Sequence, residues 1–256
     1  SLGQSKVTKL FKDAWEASTP KDLATLDSDR RKELKEAGLN TVYLQFDGLT
    51  KEPYLIARNK DLLDIKLQAI EKCREAGLGV VIVPTVVHGV NDDQIGDIIR
   101  FALDNVDIIH GVNFQPVSFS GRTPADEVES QRVTIPDFLK LVDEQTHGEI
   151  AVQDFYSATS VQPVSKFIGA LQGSLPPVTL NCHQHCGSAT YVFKDGDKII
   201  PITRFIDVDK FLNYLDRYTE KLENGGFAIK SRVLASATKN IPKVLNEENA
   251  PSNIDI

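Results

Sequence analysis

The feature that most constrains this chain is a regular alternation of short apolar segments and amphipathic segments from residue 41 onward. Residues 41–46 are β-branched and aromatic and end at Asp47 and Gly48, which predicts a buried strand. The apolar spacing of residues 61–76 predicts a helix that Gly77 ends. We therefore expect a sheet whose strands are separated by helices.

Two further strand–helix units follow the first. Residues 79–86 are almost entirely apolar, as parallel strands are when both faces are covered. Asn91 is placed to cap the next helix, which is expected to run to about residue 103. A strand within residues 106–114 and a helix opened by Thr134 form the third unit. Three such units in sequence predict an α/β fold with a parallel sheet and right-handed crossovers.

A different organisation begins after Gly148. The sequence predicts a short helix at 164–171, a strand at 178–180, a β-hairpin at 190–202 and a helix at 207–222. We therefore expect four parts: an N-terminal helical segment at 1–31, the strand–helix units at 32–147, an extension at 148–242 and a disordered tail at 243–256.

The charge and the apolar pattern exclude several classes of partner. The 29 basic and 36 acidic residues give a formal charge of −7, and no basic run exceeds Arg30-Arg31, which argues against nucleic acid. The polar start lacks the apolar region of a signal peptide, and no apolar stretch is long enough to span a bilayer. Together with an odd count of three cysteines, this predicts a cytoplasmic protein without a transmembrane segment.

Polar residues follow the predicted strands at their carboxyl ends, where ligands bind in parallel α/β folds. These residues are candidates for ligand contact, although a turn at Asp47-Gly48, a helix cap at Asn91 and satisfied loop amides explain the same pattern. The candidates are Gln45, Asp47, Pro84, Thr85, Asn113 and Gln115.

A second candidate site is the segment at 182–186, where Cys182 and Cys186 flank two histidines. Thiolates and imidazoles at this spacing can share a metal ion, although a closed site needs about four protein ligands. The alternative is a pair of reduced core thiols. The remaining thiol, Cys73, lies within a predicted helix and is expected to be structural.

Three stretches, at residues 34–48, 80–91 and 111–122, resemble the second half of a radical SAM enzyme. The likeness is to the archaeal branch that includes tetraether lipid synthase and molybdenum-cofactor-synthesis-like proteins, and it extends over about residues 32–222.

The resemblance implies a partial (β/α) barrel, half of a radical SAM barrel, with a C-terminal hairpin and helix extension. It implies that a [4Fe–4S] cluster and S-adenosylmethionine (SAM) generate a 5′-deoxyadenosyl radical that attacks an unactivated C–H bond, and it suggests C–C bond formation on an archaeal lipid chain. It places the six strand-end residues in the SAM and substrate cavity. It assigns Cys182 and Cys186 to an auxiliary Fe–S site.

The sequence departs from this family at the cluster that binds SAM. The Cys-x-x-x-Cys-x-x-Cys loop that would hold it is absent, and Ala189 stands where a third cysteine would follow Cys186. We therefore expect a fragment or a degenerate member that lacks the N-terminal half of the barrel and does not cleave SAM alone. Two other hypotheses are a Zn²⁺ or Fe–S scaffold or interaction domain, and an α/β protein that binds a phosphorylated metabolite through Ser118, Ser120 and Arg122.

Overall fold

The computed structural model describes residues 33–180, 183, 185–225 and 228–252. The expected N-terminal helical segment at 1–31 lies outside these residues. The chain divides into two compact units between Leu141 and Val142. The boundary predicted from the sequence, between residues 147 and 148, lies a few residues later. None of the described helices is long and apolar enough to cross a membrane.

The first unit contains a parallel sheet, as predicted. Its strands are β1 (Thr41–Gln45), β2 (Gly79–Val83), β3 (Thr85–Val86), β4 (Ile109–Val112) and β5 (Gln115–Pro116). The main sheet has the order β1-β2-β4, and a two-stranded parallel sheet, β3-β5, continues beyond it.

Three of the described helices of the first unit lie between these strands along the chain, and two follow the last strand. The helices are α1 (Glu52–Arg58), α2 (Leu63–Ala76), α3 (Ile95–Asp104), α4 (Ala125–Gln131) and α5 (Ile135–Gln145), which spans the boundary between the units. The sequence did not predict α1 and α4, because each is only seven residues long and too short to show a helical period.

Pro84 divides the apolar run at 79–86 into two strands instead of the one predicted. Proline has no N–H, so it cannot donate to a neighbouring strand. Its carbonyl still accepts from the Gln115 N–H at 2.9 Å, and the Asn113 N–H donates to the Ile82 carbonyl at 2.8 Å. The pairing of neighbouring chain segments therefore continues past Pro84, and β3 and β5 extend the parallel arrangement beyond the ends of β2 and β4.

The core of the first unit lies between one sheet face and the helices α2 and α3. In β1 the residues alternate, so that Val42 and Leu44 are buried while Tyr43 is 69% exposed. Cys73 packs in this core, in agreement with the structural role predicted for it. The buried residues are Val42, Leu44, Phe46, Ala69, Ile70, Cys73, Leu78, Val80, Ile82, Ile98, Ala102, Ile108 and Ile109.

The second unit combines short antiparallel pairs with helices. Strand β8 pairs with β9 in a hairpin, and β6 pairs with β7. Asp154, 2% exposed, accepts from the side chains of Thr203 and Arg204, which ties the turn after the hairpin to residues 152–154. The elements are β6 (Tyr156–Ser157), α6 (Val161–Gln172), β7 (Ser188–Ala189), β8 (Val192–Asp195), β9 (Lys198–Pro201), α7 (Val208–Glu223) and α8 (Ala228–Asn240).

Two predictions for the second unit differ from the structure. Residues 178–180 form no strand, because the Ser165 side chain of α6, rather than another strand, bonds both the N–H and the carbonyl of Val178. The tail was predicted to be disordered from residue 243. Instead, Leu245 forms a β-bridge with Ile206, and the Ser252 hydroxyl donates to Asp195 at 2.5 Å. These contacts join the tail, as far as residue 252, to other residues of the second unit.

Candidate functional site

A cluster of polar side chains lies at the carboxyl ends of β1 and β2. We call it the Asp47 cluster, and its centre is the Asp47 carboxylate, which is 1% exposed. Oδ1 accepts from Gln45 Nε2 at 2.8 Å and from the Thr85 N–H at 3.3 Å. Oδ2 accepts from Arg58 Nε at 3.0 Å. The cluster consists of Gln45, Asp47, Arg58, Thr85 and Asn91.

Asn91 joins the segment that follows β1 to β3. Its Nδ2 donates to the Asp47 carbonyl at 2.7 Å and to the Thr85 carbonyl at 2.8 Å, and its Oδ1 accepts from the Val87 N–H at 2.8 Å. Asn91 does stand at the N-cap position of the 3₁₀ turn Asp92–Gln94, but its side chain makes no cap hydrogen bond. The Asn91 amide hydrogen-bonds three backbone groups, and these bonds attach the cluster to the backbone.

Lys66, on α2, places a second positive charge near the Asp47 carboxylate. The residue is 1% exposed. Burial lowers the pKa of Lys66 to about 8, Asp47 opposes that change, and the charge of Arg58 adds to it. One buried cation, Lys66, and one half-exposed cation, Arg58, therefore accompany the carboxylate, and burial disfavours the charged form of Lys66.

Tyr54 closes the cluster from α1. Its ring is fully buried, and its hydroxyl donates to the Gly48 carbonyl at 2.9 Å. Burial raises the pKa of this hydroxyl well above its usual value, so the hydroxyl stays neutral and keeps donating. A Cβ on Gly48 would lie 2.8 Å from Gln94 Oε1 and 2.9 Å from Pro53 Cγ, so Asp47-Gly48 is a closely packed corner and not merely a solvent-exposed turn.

The structure brings together three of the six predicted strand-end residues: Gln45, Asp47 and Thr85. Pro84 is buried beside them and serves the strand pairing through its carbonyl. Asn113 and Gln115 are exposed, and their backbone N–H groups bond to the neighbouring strand. The cluster is therefore centred on the first two strands.

Arg58, Lys66 and the bridging role of Asn91 were not predicted. For Lys66 the sequence does carry a signal, because it stands three, four and seven residues before the buried Ala69, Ile70 and Cys73. A lysine on the apolar face of a helix is unusual and indicates a buried charge.

The cysteine–histidine segment lies in the second unit and is only partly described. Cys182 lies outside the described residues, and Cys186 is exposed. The rings of His183 and His185 lie 4.9 Å apart, and the Cys186 N–H donates to the His183 carbonyl at 2.8 Å. Among the residues that the structure describes, no three His, Cys, Asp or Glu side chains group closely enough to hold a metal ion.

This segment is held at both ends. On one side, Ser165 bonds the backbone of Val178, and Gln162 donates to the Leu180 carbonyl. On the other, the Ala158 N–H donates to the Gly187 carbonyl at 2.9 Å, next to the pairing of β6 with β7. The backbone flanks of the proposed cysteine pair are thus fixed.

The three residues proposed to bind a phosphorylated metabolite do not form a pocket in the described structure. Ser118, Ser120 and Arg122 are all exposed. A specific site for a phosphate usually gathers several donors in a sheltered place. The described loop offers no buried pocket of this kind, so it does not support phosphate binding, and the Asp47 cluster is the better candidate for the site.

Two kinds of comparison relate the chain to known proteins. Residues 18–102 match the radical SAM superfamily. The chain is 50% identical over 229 residues to the 7,8-dihydro-6-hydroxymethylpterin dimethyltransferase of Methanocaldococcus jannaschii, a match that covers 88% of the chain and 44% of that protein.

Shorter matches are to two proteins with a different name. It is 41% identical over 70 residues to a probable GTP 3′,8-cyclase of Pyrococcus abyssi, which covers 27% of the chain and 23% of that protein. It is 31% identical over 115 residues to the GTP 3′,8-cyclase of Alkaliphilus oremlandii, which covers 44% of the chain and 36% of that protein. The chain spans less than half the length of these curated relatives. Their names specify a pterin and GTP, so they do not support the expected lipid substrate.

Proposed function

Because the chain belongs to the radical SAM superfamily, we propose that it supplies part of the (β/α) barrel of a radical SAM enzyme, with the hairpin and helices of the second unit as its C-terminal extension. Enzymes of this superfamily use SAM and a [4Fe–4S] cluster. The observation that carries the proposal is the Asp47 cluster, a buried polar group at the carboxyl ends of parallel strands.

In this proposal the strand ends bind and orient the ligands. Gln45 and Thr85 line the cavity for SAM and substrate, with Asn113 and Gln115 on the following segments, while the buried Asp47 and Pro84 support them from behind. The apolar core between the sheet and α2 and α3 holds these ends in place. The chain's own residues therefore supply positioning, and the radical chemistry belongs to the bound cofactor.

The residues present do not fit the SAM cluster itself. A [4Fe–4S] cluster requires cysteine thiolates, and the three-cysteine loop is absent from this sequence. We propose that the loop is supplied by other parts of the complete gene product. Cys182 and Cys186 are proposed ligands of an auxiliary Fe–S cluster or Zn²⁺, supported by the fixed backbone on either side of them.

The proposed substrate is a small heterocycle of the pterin type, and the proposed reaction is methyl transfer to it. The support is the relative that is 50% identical over most of this chain, whose name specifies a pterin. Pterins and the guanine of GTP share a fused ring that bears an amino group and a carbonyl. A cavity lined with amide, hydroxyl and carboxylate groups suits such a ring.

The proposal predicts that the complete gene product, reconstituted with iron and sulfide without oxygen and reduced with dithionite, forms 5′-deoxyadenosine and methionine from SAM when 7,8-dihydro-6-hydroxymethylpterin is present. The 256-residue chain treated in the same way should form none. Mass spectrometry of both products is the measurement, and the same gene product loaded with Zn²⁺ is the control. 5′-Deoxyadenosine from the 256-residue chain, or none from the gene product, contradicts the proposal.

A further inference from the structure

One face of the main sheet in the first unit is covered by α2 and α3, and the side chains of β1 show where the other face lies. Val42 and Leu44 are buried in the core between the sheet and these helices. Successive side chains of a strand point to opposite faces, so Tyr43 points away from the core. Val81 of β2 pairs directly with Tyr43 and lies on the same face. Tyr43 is 69% exposed, and Val81 is partly buried.

A β-bulge in β4 places two more residues on this second face. Val80 pairs with Ile109, whereas the next residue, Val81, pairs with Gly111. His110 is therefore an extra residue in β4, and a bulge turns the side chain of such a residue to a new direction. His110 is exposed, although it follows Ile109, which is buried in the core.

Gly79 makes room for the imidazole of His110. A Cβ on Gly79 would lie 2.5 Å from both Cε1 and Nδ1 of His110, which is closer than packed atoms approach. Gly79 stands two residues before Val81 on the same strand, so its missing Cβ would point to the same face as Val81. The imidazole therefore lies over β2 on this face. We call the face that Tyr43, Val81, His110 and Gly111 form the open face.

Gly111 leaves the open face without a side chain beside Val81. Outside residues 110–112, the nearest atom to a Cβ on Gly111 would be Val81 Cγ2, at 4.0 Å, so there is free space above this glycine. The strand order places Tyr43 on one side of β2 and Gly111 on the other. The open face therefore combines the rings of Tyr43 and His110 with a space where a side chain is missing.

In the proposed barrel the open face is part of the interior, because α2 and α3 lie on the other face, which is the exterior. The interior of a (β/α) barrel is normally filled by layers of side chains in which Val, Ile and Leu dominate. Gly79 and Gly111 contribute no side chain to such a layer. We therefore expect a hollow at this level of the barrel instead of a packed core.

We propose that the open face binds the substrate, a flat heterocycle of the pterin type, with its ring stacked on Tyr43 and over Gly111 and its polar edge at the His110 imidazole. The inference rests on the proposed function and names the residues that recognise the substrate. Aromatic rings stack favourably on one another. A glycine in a strand lets a ligand approach the backbone closely. A neutral imidazole has one donor and one acceptor for the N–H and carbonyl groups of the ring.

Equilibrium dialysis of the complete gene product, with 7,8-dihydro-6-hydroxymethylpterin and SAM as separate probes, tests this inference. Gly111→Val fills the free space, and the variant is expected to fold because valine suits a strand and Gly111 has no positive φ. It should raise the Kd of the pterin about tenfold or more and change the Kd of SAM by no more than about twofold. Gly111→Ala adds a single methyl group and should have a smaller effect.

Tyr43→Leu tests the stacking contact. It keeps an apolar side chain but removes the ring, and it should raise the Kd of the pterin about threefold to tenfold. Tyr43→Phe keeps the ring and should retain the affinity. Tyr191→Leu is the matched control, because Tyr191 is 64% exposed and lies in the second unit, and it should leave both affinities unchanged.

The role of Gly79 is tested together with His110. His110→Ala removes the imidazole and Gly79→Ala displaces it, so each should raise the Kd of the pterin about threefold or more. The double variant should bind the pterin no more weakly than His110→Ala alone, because both changes act on the same ring. Additive losses would show that Gly79 does not act by placing His110.

An unchanged pterin affinity in both Gly111→Val and Tyr43→Leu would overturn the inference. A loss of SAM affinity as large as the loss of pterin affinity would also overturn it, because the open face would then not be specific for the substrate. If the wild-type gene product forms 5′-deoxyadenosine in these cases, the proposed function still stands. A wild-type protein that binds neither probe and forms no 5′-deoxyadenosine contradicts the proposed function as well.

Discussion

Replacing Asp47 by Asn is expected to destabilise the first unit by about 3–5 kcal/mol, because it leaves the buried Lys66 and the half-exposed Arg58 without their counter-charge. Arg58 loses its partner at 3.0 Å, and Lys66 loses the one nearby charge that favours its protonated form. The amide of Asn also turns one of the two acceptors into a donor. Urea unfolding of the 256-residue chain, followed by far-UV circular dichroism at neutral pH, measures the change.

Asp107→Asn is the matched control for this prediction. Asp107 pairs with Arg74 at 2.7 Å, but it is largely exposed and solvent screens its charge, so its loss should cost far less than the loss of Asp47. If Asp47→Asn is no more costly than Asp107→Asn, the Asp47 carboxylate does not compensate buried charge, and the electrostatic account of the cluster is wrong.

Lys66→Met is expected to stabilise the first unit at neutral pH by about 1–3 kcal/mol, because it removes a buried ammonium of disfavoured charge at similar volume. The folded pKa of about 8 lies below the ordinary value of 10.5. The unfolded chain therefore binds more protons between these two values, and the stability of the wild type rises as the pH increases through them.

The variant should lack this pH dependence. Between about pH 7 and about pH 9.5 the wild type should approach the stability of Lys66→Met, which itself stays nearly constant. Lys72→Met, on the same helix but exposed and paired with Glu75, is the control and should change neither the stability nor its pH dependence. A wild type whose stability is flat or falls over this interval would show that Lys66 is not a disfavoured buried cation.

The effects of Asp47→Asn and Lys66→Met on the free energy of unfolding should not be additive. Because Asp47 is the charge that opposes the lowered pKa of Lys66, Lys66→Met should relieve part of the cost of Asp47→Asn. Additive effects would mean that the two side chains do not interact.

The sequence predicted the strand ends better than the side chains that complete the site. The strands at β1 and β2 follow from β-branched apolar runs, and a parallel sheet aligns their carboxyl ends, so Gln45, Asp47 and Thr85 could be placed together. Arg58 could not, because it lies on a seven-residue helix with no periodic signal. Its position depends on a loop geometry that residue spacing does not determine.

Asn91 shows a second reason why the sequence alone does not predict the whole site. An asparagine before two aspartates is typical of a helix cap, and the local pattern gives no sign that its amide bridges Asp47 and Thr85. Those partners lie 44 and 6 residues away along the chain. Local propensity and tertiary contacts compete for such a side chain, and here the tertiary contacts win because they satisfy three backbone groups.

Hydrogen exchange with and without SAM tests the central claim most directly, namely that the carboxyl ends of β1 and β2 line the ligand cavity of a radical SAM enzyme. In the reconstituted complete gene product, SAM should slow exchange in residues 45–48 and 84–91 by about tenfold or more, while residues 63–76 of α2 change little. Protection that omits both strand ends, or that appears only in the second unit, would contradict the account.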